Sequence, residues 1–144
     1  MREIVKRFED LTPLELHEII YTRFDVFVDG QSCPWREELD GLDPQARHVF
    51  LRDENGIAAY LRILDEGGGT AHLGRVLAVR RRQGLGTQVL RLGIRVCREQ
   101  LHADRIVIHA QQYAQAFYER QGFVVTSDVF DEVGIPHIMM EKAL

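Results

Sequence analysis

Apolar residues recur every three or four positions in several stretches of the chain, and this spacing predicts three helices. The first begins at a capping box, in which Thr12 and Glu15 satisfy free backbone N–H groups and Pro13 takes the first helical position. Its apolar positions continue to Phe27. The second helix is expected over residues 85–101, with arginines on its polar face. The third is expected over residues 113–120.

Short segments rich in β-branched and aromatic residues predict strands between these helices. The predicted strands cover residues 2–8, 48–52, 56–64, 71–79, 105–110, 123–126 and 138–141. The dipeptide Asn55-Gly56 predicts a hairpin. Strands that pair locally in the first half and cross over through helices in the second half predict an α/β fold of the mixed α+β kind, with helices on both faces of one sheet. We expect one domain over residues 1–144, with residues 29–46 as an irregular loop or short helix.

The composition adds few constraints. Hydrophobic residues make up 45% and charged residues 28%, as in an ordinary globular protein. A net charge of −4 offers no basic surface, so we expect no nucleic-acid partner. The absence of a signal-peptide pattern and of long apolar runs predicts a cytoplasmic protein without a membrane span. Cys33 and Cys97 lack metal or disulfide spacing, so no metal is expected, and Cys97 is predicted to be a core thiol.

The most informative stretch is residues 77–87, which joins a strand, a basic turn with two glycines and the start of a helix. Gly84 and Gly86 allow the backbone to approach a ligand closely, and the helix N-terminus and the arginines supply positive charge. These features predict a pyrophosphate-binding site. A P-loop is excluded because its Gly-Lys pair is absent, and a dinucleotide fingerprint would need a third glycine where Val89 stands. For the two glycines alone, an ordinary strand-to-helix turn is the alternative.

These residues carry a resemblance to a known family. The pattern Arg81-x-x-Gly84-x-Gly86 resembles the coenzyme A motif of the GNAT (GCN5-related N-acetyltransferase) superfamily. Residues 116–123, which read Ala-Phe-Tyr-Glu-Arg-Gln-Gly-Phe, resemble its second hallmark. Further pieces over nearly the whole chain resemble the ElaA-like branch, most specifically residues 134–138, Gly-Ile-Pro-His-Ile.

The resemblance implies the GNAT fold and transfer of the acetyl group of acetyl-CoA to a primary amine on a small molecule or peptide. Direct attack by the amine through a tetrahedral intermediate is the implied route. Residues Arg75–Val79 of the predicted strand should splay from the strand at 105–110, and backbone N–H groups near Leu77–Val79 should bind the thioester carbonyl. The implied coenzyme contacts are Leu77, Ala78, Val79, Arg81, Arg82, Gln83, Gly84, Leu85, Gly86, Thr87, Gln111 and Phe117.

The resemblance also implies catalytic roles. Tyr118 is the implied acid that protonates the leaving thiolate, and His137 is a candidate base or substrate contact. His48, or Asp40, Asp43 and Glu132 acting through water, stay open as alternative bases. Residues 29–46 and 128–137 are expected to form the acceptor site. The candidate substrate contacts are Arg23, Asp40, Asp43 and His48. Arg62 and Arg75 are secondary candidates, because buried arginines on strands need partners.

The chain departs from the family at three points. Gly30 stands where the branch has an acidic residue, the segment between Val76 and Gly84 is shorter than usual, and Gln111 replaces the asparagine of the wider family. Two alternatives stay open: a non-catalytic acyl-CoA-sensing module, since the glycine motif reports binding rather than turnover, and an acyltransferase similar to acyl-homoserine-lactone synthases. The family also allows a homodimer.

Overall fold

The computed structural model describes residues 1–80 and 83–144. Within these residues the chain forms one mixed sheet with helices on both faces. The strands are β1 (Arg2–Arg7), β2 (Arg47–Asp53), β3 (Gly56–Gly67), β4 (Thr70–Ala78), β5 (Arg105–Gln111), β6 (Val124–Val125), β7 (Phe130–Glu132) and β8 (Ile135–Ala143). The helices are α1 (Pro13–Arg23), α2 (Trp35–Glu38), α3 (Leu85–Glu99) and α4 (Gln115–Glu119), and a π-helical segment (Phe24–Asp29) continues α1.

The strands are arranged in the order β1-β2-β3-β4-β5-β8-β6, and β7 also pairs with β8. β4 and β5 are parallel neighbours, whereas the other pairs are antiparallel. Pairing between β4 and β5 ends at Leu73 and Ile108, although β4 continues to Ala78 and β5 to Gln111. The two strands therefore diverge, and the predicted splay that opens a cleft in the sheet is confirmed.

The main hydrophobic core lies on the face of the sheet that α3 and α4 cover. Helix α3 packs so closely on β3 that a Cβ atom on Gly93 would come within 2.8 Å of the Leu61 side chain. Cys97 is fully buried in this core, which confirms the predicted core thiol, and burial raises its pKa to about 12. A smaller core on the opposite face joins α1 to the first strands, with Ile19 and Phe50 at its centre.

The structure differs from the predicted elements mainly near the C-terminus. Strand β7 was not predicted, because three residues that pair only with β8 carry no alternating pattern. β8 begins at Ile135 rather than at residue 138. Pro136 has no backbone N–H, but pairing with β5 ends at His137, so the missing N–H costs no bond to β5. Among the described residues, no helix is both long and apolar enough to cross a membrane.

Candidate active site

The cleft between β4 and β5 has a volume of about 1090 Å³. β4, the start of α3, α4 and the ends of β5 and β8 bound it, together with residues of the segment after α1. The predicted site residues that line it are Asp40, Leu77, Ala78, Gly84, Leu85, Gly86, Thr87, Gln111, Phe117, Tyr118 and His137. Most of the predicted coenzyme contacts therefore meet in one cavity. Arg81 and Arg82, also predicted contacts, lie outside the described residues.

The N-terminus of α3 forms one wall of the cleft. Gly84 is its N-cap and has a left-handed backbone with φ of 71°, and a Cβ atom there would meet no atom within 4 Å. No side chain caps the helix among the described residues, so N–H groups of its first turn remain for a ligand. Gly86 lies against the ring of Phe117, at 3.6 Å from the place of a Cβ atom. This end of α3 can therefore accept an anion such as a pyrophosphate.

Two polar residues of the preceding turn are held by neighbours. Arg80 donates from Nη2 to Asp53 Oδ2 at 2.7 Å and from Nε to Gln83 Oε1 at 3.1 Å. These bonds anchor the turn to the β2–β3 hairpin. Gln83, a predicted coenzyme contact, is thus engaged with Arg80 and does not line the cleft.

The edge of β4 presents backbone N–H groups to the cleft. Val79 N–H donates to Ala58 O at 2.8 Å, so it is not free to bind a thioester carbonyl as predicted. Ala59 pairs with Ala78 and Tyr60 with Leu77. Because N–H directions alternate along an antiparallel pair, Leu77 N–H also points to β3, whereas Ala78 N–H points to the cleft. Of the three predicted donors, Ala78 is the one that this register leaves available.

A β-bulge shapes the same edge of β4 nearer the point of divergence. Arg62 pairs with Gly74 and Tyr60 with Leu77, so two residues, Arg75 and Val76, lie opposite one residue of β3. Arg75 has φ of 56°, which is uncommon for any residue except glycine. The bulge therefore adds an unpaired backbone position between the divergence point and Ala78.

Tyr118 lies on α4 and is 8% exposed. Its ring packs edge-on against Phe117 and Phe123, with centroids 5.0 and 5.8 Å away. Burial raises the pKa of its hydroxyl well above the ordinary value, and the nearby Tyr113 adds to this effect. Tyr118 is therefore a neutral phenol at the wall of the cleft, able to donate a proton.

A group of histidines and glutamates, with one phenylalanine, lies on the face of the sheet opposite α3. We call Glu66, His72, His109, Phe130, Glu132 and His137 the histidine wall. His72 Nδ1 lies 2.8 Å from Glu66 Oε1, and His109 Nδ1 lies 2.9 Å from Glu132 Oε1. The two imidazole rings meet edge to face with centroids 4.9 Å apart. Phe130 lies between His109 and His137, with ring centroids 5.5 and 6.1 Å away.

His137 is the most enclosed member of the histidine wall. Its side chain is 6% exposed, and its Nδ1 donates to Ile135 O at 2.7 Å. Its Nε2 lies 3.5 Å from Glu132 Oε2. The predicted candidate therefore faces the cleft, but both of its nitrogens have close polar neighbours.

Comparison with known proteins identifies the family. Residues 11–144 match the family described as the acetyltransferase (GNAT) domain. The chain belongs to the GNAT acetyltransferase family. An acyl-CoA N-acyltransferase of known structure from Pseudomonas aeruginosa is 36% identical, covers 99% of this chain and 100% of its own, and superposes with a TM-score of 0.90.

Escherichia coli ElaA is 30% identical over 92% of this chain and 90% of its own length. Its crystal structure superposes with a TM-score of 0.90 over 98% of each chain, at 28% identity. The GNAT fold and the resemblance to the ElaA-like branch are therefore confirmed. An aminoglycoside 6′-N-acetyltransferase, solved with coenzyme A, shares the fold at a TM-score of 0.74 and 14% identity, over 97% of this chain and 96% of that one.

Three predicted substrate contacts of this GNAT chain belong to a group of paired charges, four of which, Arg23, Glu38, Asp43 and Arg62, are buried. Arg23, Glu38, Asp40, Asp43, Arg62 and Arg75 form what we call the ion-pair cluster. Arg23 has no exposed surface, and its Nε and Nη1 donate to Glu38 Oε1 at 2.7 Å and Asp43 Oδ1 at 2.6 Å. Arg62 donates to the same Asp43 oxygen at 3.1 Å. Arg23 and Asp43 do not line the cleft, because their charges are used to hold the segment after α1 on the sheet.

His48 lies beside this cluster and is fully buried. Its Nε2 is 3.0 Å from Asp43 O, a carbonyl that accepts only, so Nε2 carries the proton. Its Nδ1, 2.8 Å from the Tyr60 hydroxyl, is then the acceptor. Burial lowers the pKa of His48, so the ring stays neutral. With both nitrogens engaged and no surface in the cleft, His48 fits neither the substrate contact nor the alternative base.

Of the four candidate substrate contacts, Arg23, Asp40, Asp43 and His48, Asp40 is the one that lines the cleft. Burial raises its pKa, but hydrogen bonds from Arg62 and from Leu42 N–H outweigh burial and bring it to about 2. An aspartate with so low a pKa holds a proton poorly, so Asp40 does not fit the role of a base. It serves as a fixed negative charge at the rim.

Sequence reasoning missed several polar residues of the cleft, among them Glu66, His72, His109 and Arg120. A signal for the histidines was present. Each stands between two buried apolar residues on a predicted strand, so alternation directs it to the sheet face opposite α3. Their proximity depends on the parallel register, in which His72 pairs with Val107. Arg120 ends α4 as an exposed cation, and nothing local distinguishes it.

Proposed function

We propose that this protein is an N-acetyltransferase that moves the acetyl group of acetyl-CoA to a primary amine. The observation that carries the proposal is the meeting of three groups in one cleft: the uncapped N-terminus of α3, the Ala78 N–H and the Tyr118 hydroxyl. Each group meets one requirement of thioester aminolysis. The helix terminus binds the coenzyme, the N–H stabilises the carbonyl oxygen, and the phenol supplies a proton to the departing sulfur.

The first turn of α3 would hold the pyrophosphate of the coenzyme. The positive φ of Gly84 and the open space around its Cα allow phosphate oxygens to approach the backbone N–H groups. Arg81 and Arg82 stay predicted contacts of the same phosphates. Because β4 leads directly into this turn, the pantetheine arm would lie along the free β4 edge and direct the thioester toward the bulge. The coenzyme supplies the acetyl group as a thioester.

The β4 edge would bind the thioester oxygen between Ala78 and the bulge. As the amine attacks, this oxygen becomes negatively charged in the tetrahedral intermediate. A fixed N–H donor stabilises that charge more than it stabilises the neutral carbonyl. One donor of this kind contributes about 3–4 kcal/mol in favourable cases. Fixing both reactants in one cleft supplies the rest of the acceleration.

Tyr118 would protonate the leaving group. Collapse of the intermediate breaks the C–S bond, and the electron pair leaves on sulfur. The raised pKa of Tyr118 keeps the phenol protonated until that negative charge develops beside it. The amine would approach from the histidine wall and the segment after α1, because the coenzyme enters from the side of α3. The carboxylates of Glu66 and Glu132 in the histidine wall favour a cationic amine over an anionic acceptor.

Coenzyme release and product mass test this function together. Purified protein, acetyl-CoA and a panel of primary amines should give free thiol and an acetylated amine, identified by mass spectrometry. Tyr118→Phe should lower kcat by about a hundredfold with little change in coenzyme affinity. Tyr21→Phe, at an exposed position on α1, is the matched control.

The outcomes separate the alternatives. Coenzyme binding without turnover of any amine would favour a sensing module and contradict the proposal. Release of a lactone from an acyl donor would favour chemistry similar to that of acyl-homoserine-lactone synthases. No binding of acetyl-CoA would exclude both acyl transfer and acyl-CoA sensing.

A further inference from the structure

Two carboxylate–histidine pairs stand side by side on the acceptor face of the cleft. Glu132 accepts from His109, and Glu66 accepts from His72, in each case at Nδ1. A carboxylate can only accept, so each Nδ1 carries a hydrogen, and each neutral ring keeps a lone pair on Nε2. No hydrogen bond engages either Nε2 in the described part of the chain. A carboxylate that orients a histidine with one free nitrogen is the arrangement that a general base requires.

His109 is placed where the sheet opens. It follows Ile108, the last residue of β5 that pairs with β4. Its neighbours Ile108 and Ala110 enter the core under α3, so its ring projects from the opposite face, where an acceptor would enter. The side chain is 34% exposed, compared with 6% for His137. The imidazole is therefore both oriented and reachable.

His137 is less suited to take a proton. Its Nδ1 hydrogen is donated to Ile135 O, so the lone pair of the neutral ring lies on Nε2. That nitrogen faces Glu132 Oε2 at 3.5 Å, and the carboxylate stands in the path of an incoming N–H group. Because Glu132 accepts from His109 and stands beside His137 Nε2, the shared carboxylate favours His109 as the base.

We propose that His109, oriented by Glu132, removes the proton that makes the acceptor amine an ammonium ion, and that His72 with Glu66 provides a second base on the same wall. This proposal rests on the acetyltransferase function. The N–H bond of the ammonium breaks, its electron pair stays on nitrogen, and the proton moves to His109 Nε2 and then to solvent. The free amine forms the N–C bond as the C=O electron pair moves onto oxygen. Collapse breaks the C–S bond, and the sulfur leaves with that electron pair and takes the Tyr118 proton. The new amide nitrogen then loses its second proton, which restores the Tyr118 hydroxyl through solvent.

The charges around the two rings suit this task. His109 faces Glu132 from β7, His72 from β4 and, beyond Phe130, His137 from β8. His72 faces Glu66 and Arg62 from β3 as well as His109. Burial lowers the pKa of His72, and the neighbouring His109 lowers it further against the effect of Glu66. The carboxylates of Glu66 and Glu132 attract a cationic amine, and each histidine beside them presents an Nε2 that can accept a proton.

Metal binding is the other chemistry that histidines and carboxylates support. Among the described residues, no three His, Cys, Asp or Glu side chains are grouped to hold a metal ion. In each pair the Nδ1 is turned to its own glutamate, so the donor atoms do not converge on one point. The geometry therefore points to proton transfer.

The test is the pH dependence of kcat/KM for the best amine, measured from about pH 5 to about pH 9. A base must be unprotonated, so the rate of the intact protein should fall on the acid side. His109→Gln keeps a donor for Glu132 but cannot take a proton. The kcat/KM of this variant should be about a hundredfold lower. It should also no longer fall on the acid side of the pH profile, the part that we call the acid limb. His72→Gln should lose less, and His137→Gln should retain the acid limb.

His17→Gln, an exposed position on α1, is the control for the same chemical change outside the cleft. Acetyl-CoA affinity, measured by calorimetry, should be unchanged in every variant. An intact acid limb in His109→Gln, or loss of its coenzyme affinity, would overturn the assignment while leaving the acetyltransferase function in place. Absence of turnover by the intact protein with every amine would overturn both proposals.

Discussion

The ion-pair cluster and the histidine wall lie on the same face of one sheet and use related residue types, yet they differ in burial and in pairing. In the cluster, Arg23 has no exposed surface, and its donors are bonded to Glu38 and Asp43. In the wall, His109 is 34% exposed and bonded through one nitrogen. The first region covers β2 and β3 under α1, and the second covers the diverging ends of β4 and β5.

The comparison shows that one face of the sheet has a part whose polar groups stabilise the fold and a part whose polar groups remain available to a ligand. A charge that is removed from water needs a partner. Leaving it buried without one destabilises the fold by much more than the ion pair itself stabilises it. The charges of the cluster are used to bind one another, and two of its atoms that make no hydrogen bond among the described residues, Asp43 Oδ2 and Arg75 Nε, are buried out of reach of a substrate. The wall keeps free nitrogens because water or an amine can reach them. Polar residue type alone therefore does not mark a site. Exposure and unused hydrogen-bonding capacity do.

Arg75 connects the ion-pair cluster to the β4 edge of the cleft. Its Nη2 donates to Glu37 O and Glu38 O, each at 3.1 Å. Its Nε lies 2.8 Å from Glu38 Oε2 and forms an ion pair with it, but the two atoms are not aligned for a hydrogen bond. The same residue forms the bulge on β4 that borders the position proposed for the thioester. We infer that the cluster holds the bulge, and through it the cleft edge, in place.

The largest expected effect comes from Arg23→Met, which leaves Glu38 and Asp43 buried with a partner removed. The free energy of unfolding should fall by about 3–5 kcal/mol, measured by urea denaturation. Arg95→Met, on the exposed face of α3 where Arg95 lies 3.5 Å from Glu3, is the matched control. Its effect should stay within about 1 kcal/mol. Equal losses in the two variants would remove the distinction between buried and exposed pairs.

A smaller effect, measured as activity, is expected from Arg75→Gly. Glycine adopts the positive φ without strain, so this variant removes the side-chain contacts and keeps the bulge conformation. Loss of the link to Glu37 and Glu38 should lower kcat/KM about tenfold through misplacement of the β4 edge. His102→Gly, at φ of 52° in a turn outside the cleft, is the control. Full activity in Arg75→Gly would show that the bulge needs no support from the cluster.

The smallest effect concerns pH and His48. The pKa of His48 is lowered in the folded protein, so the unfolded chain binds more protons as the pH falls below about 6.5. Its contribution to stability is therefore present above that pH and lost below it. Between pH 7.5 and 5.5 the free energy of unfolding should fall more for the intact protein than for His48→Gln. The same slope in both would indicate that His48 is not the responsible group.

Local signals made most of the fold predictable. The capping box forms as expected: Glu15 N–H donates to Thr12 Oγ1 at 3.1 Å, and Thr12 N–H donates to Glu15 Oε1 at 2.8 Å. Helical periodicity and the glycine turn placed α3 and Gly84 correctly. The π-helical segment after α1 was not distinguishable, because its apolar spacing resembles that of an α-helix over so few residues.

Tertiary contacts made the site harder to predict. Arg23 meets Glu38 and Asp43 across 15 and 20 residues of sequence, through a segment without periodicity. No local pattern distinguishes such a buried pair from an exposed substrate contact. The histidine wall depends in the same way on strand register and on β7, which the sequence does not signal. The roles of Arg81 and Arg82 stay predictions.

The central claim is that the N-terminus of α3 binds the coenzyme, and calorimetric titration with acetyl-CoA tests it most directly. Gly84→Asp places a carboxylate beside the proposed pyrophosphate, and aspartate tolerates positive φ better than most side chains. Gly68→Asp, at φ of 62° and with equally open surroundings in the β3–β4 turn, carries the same charge and backbone cost. Our account predicts that Gly84→Asp weakens binding at least about tenfold while Gly68→Asp binds as the intact protein does. Equal affinity in all three proteins would contradict it.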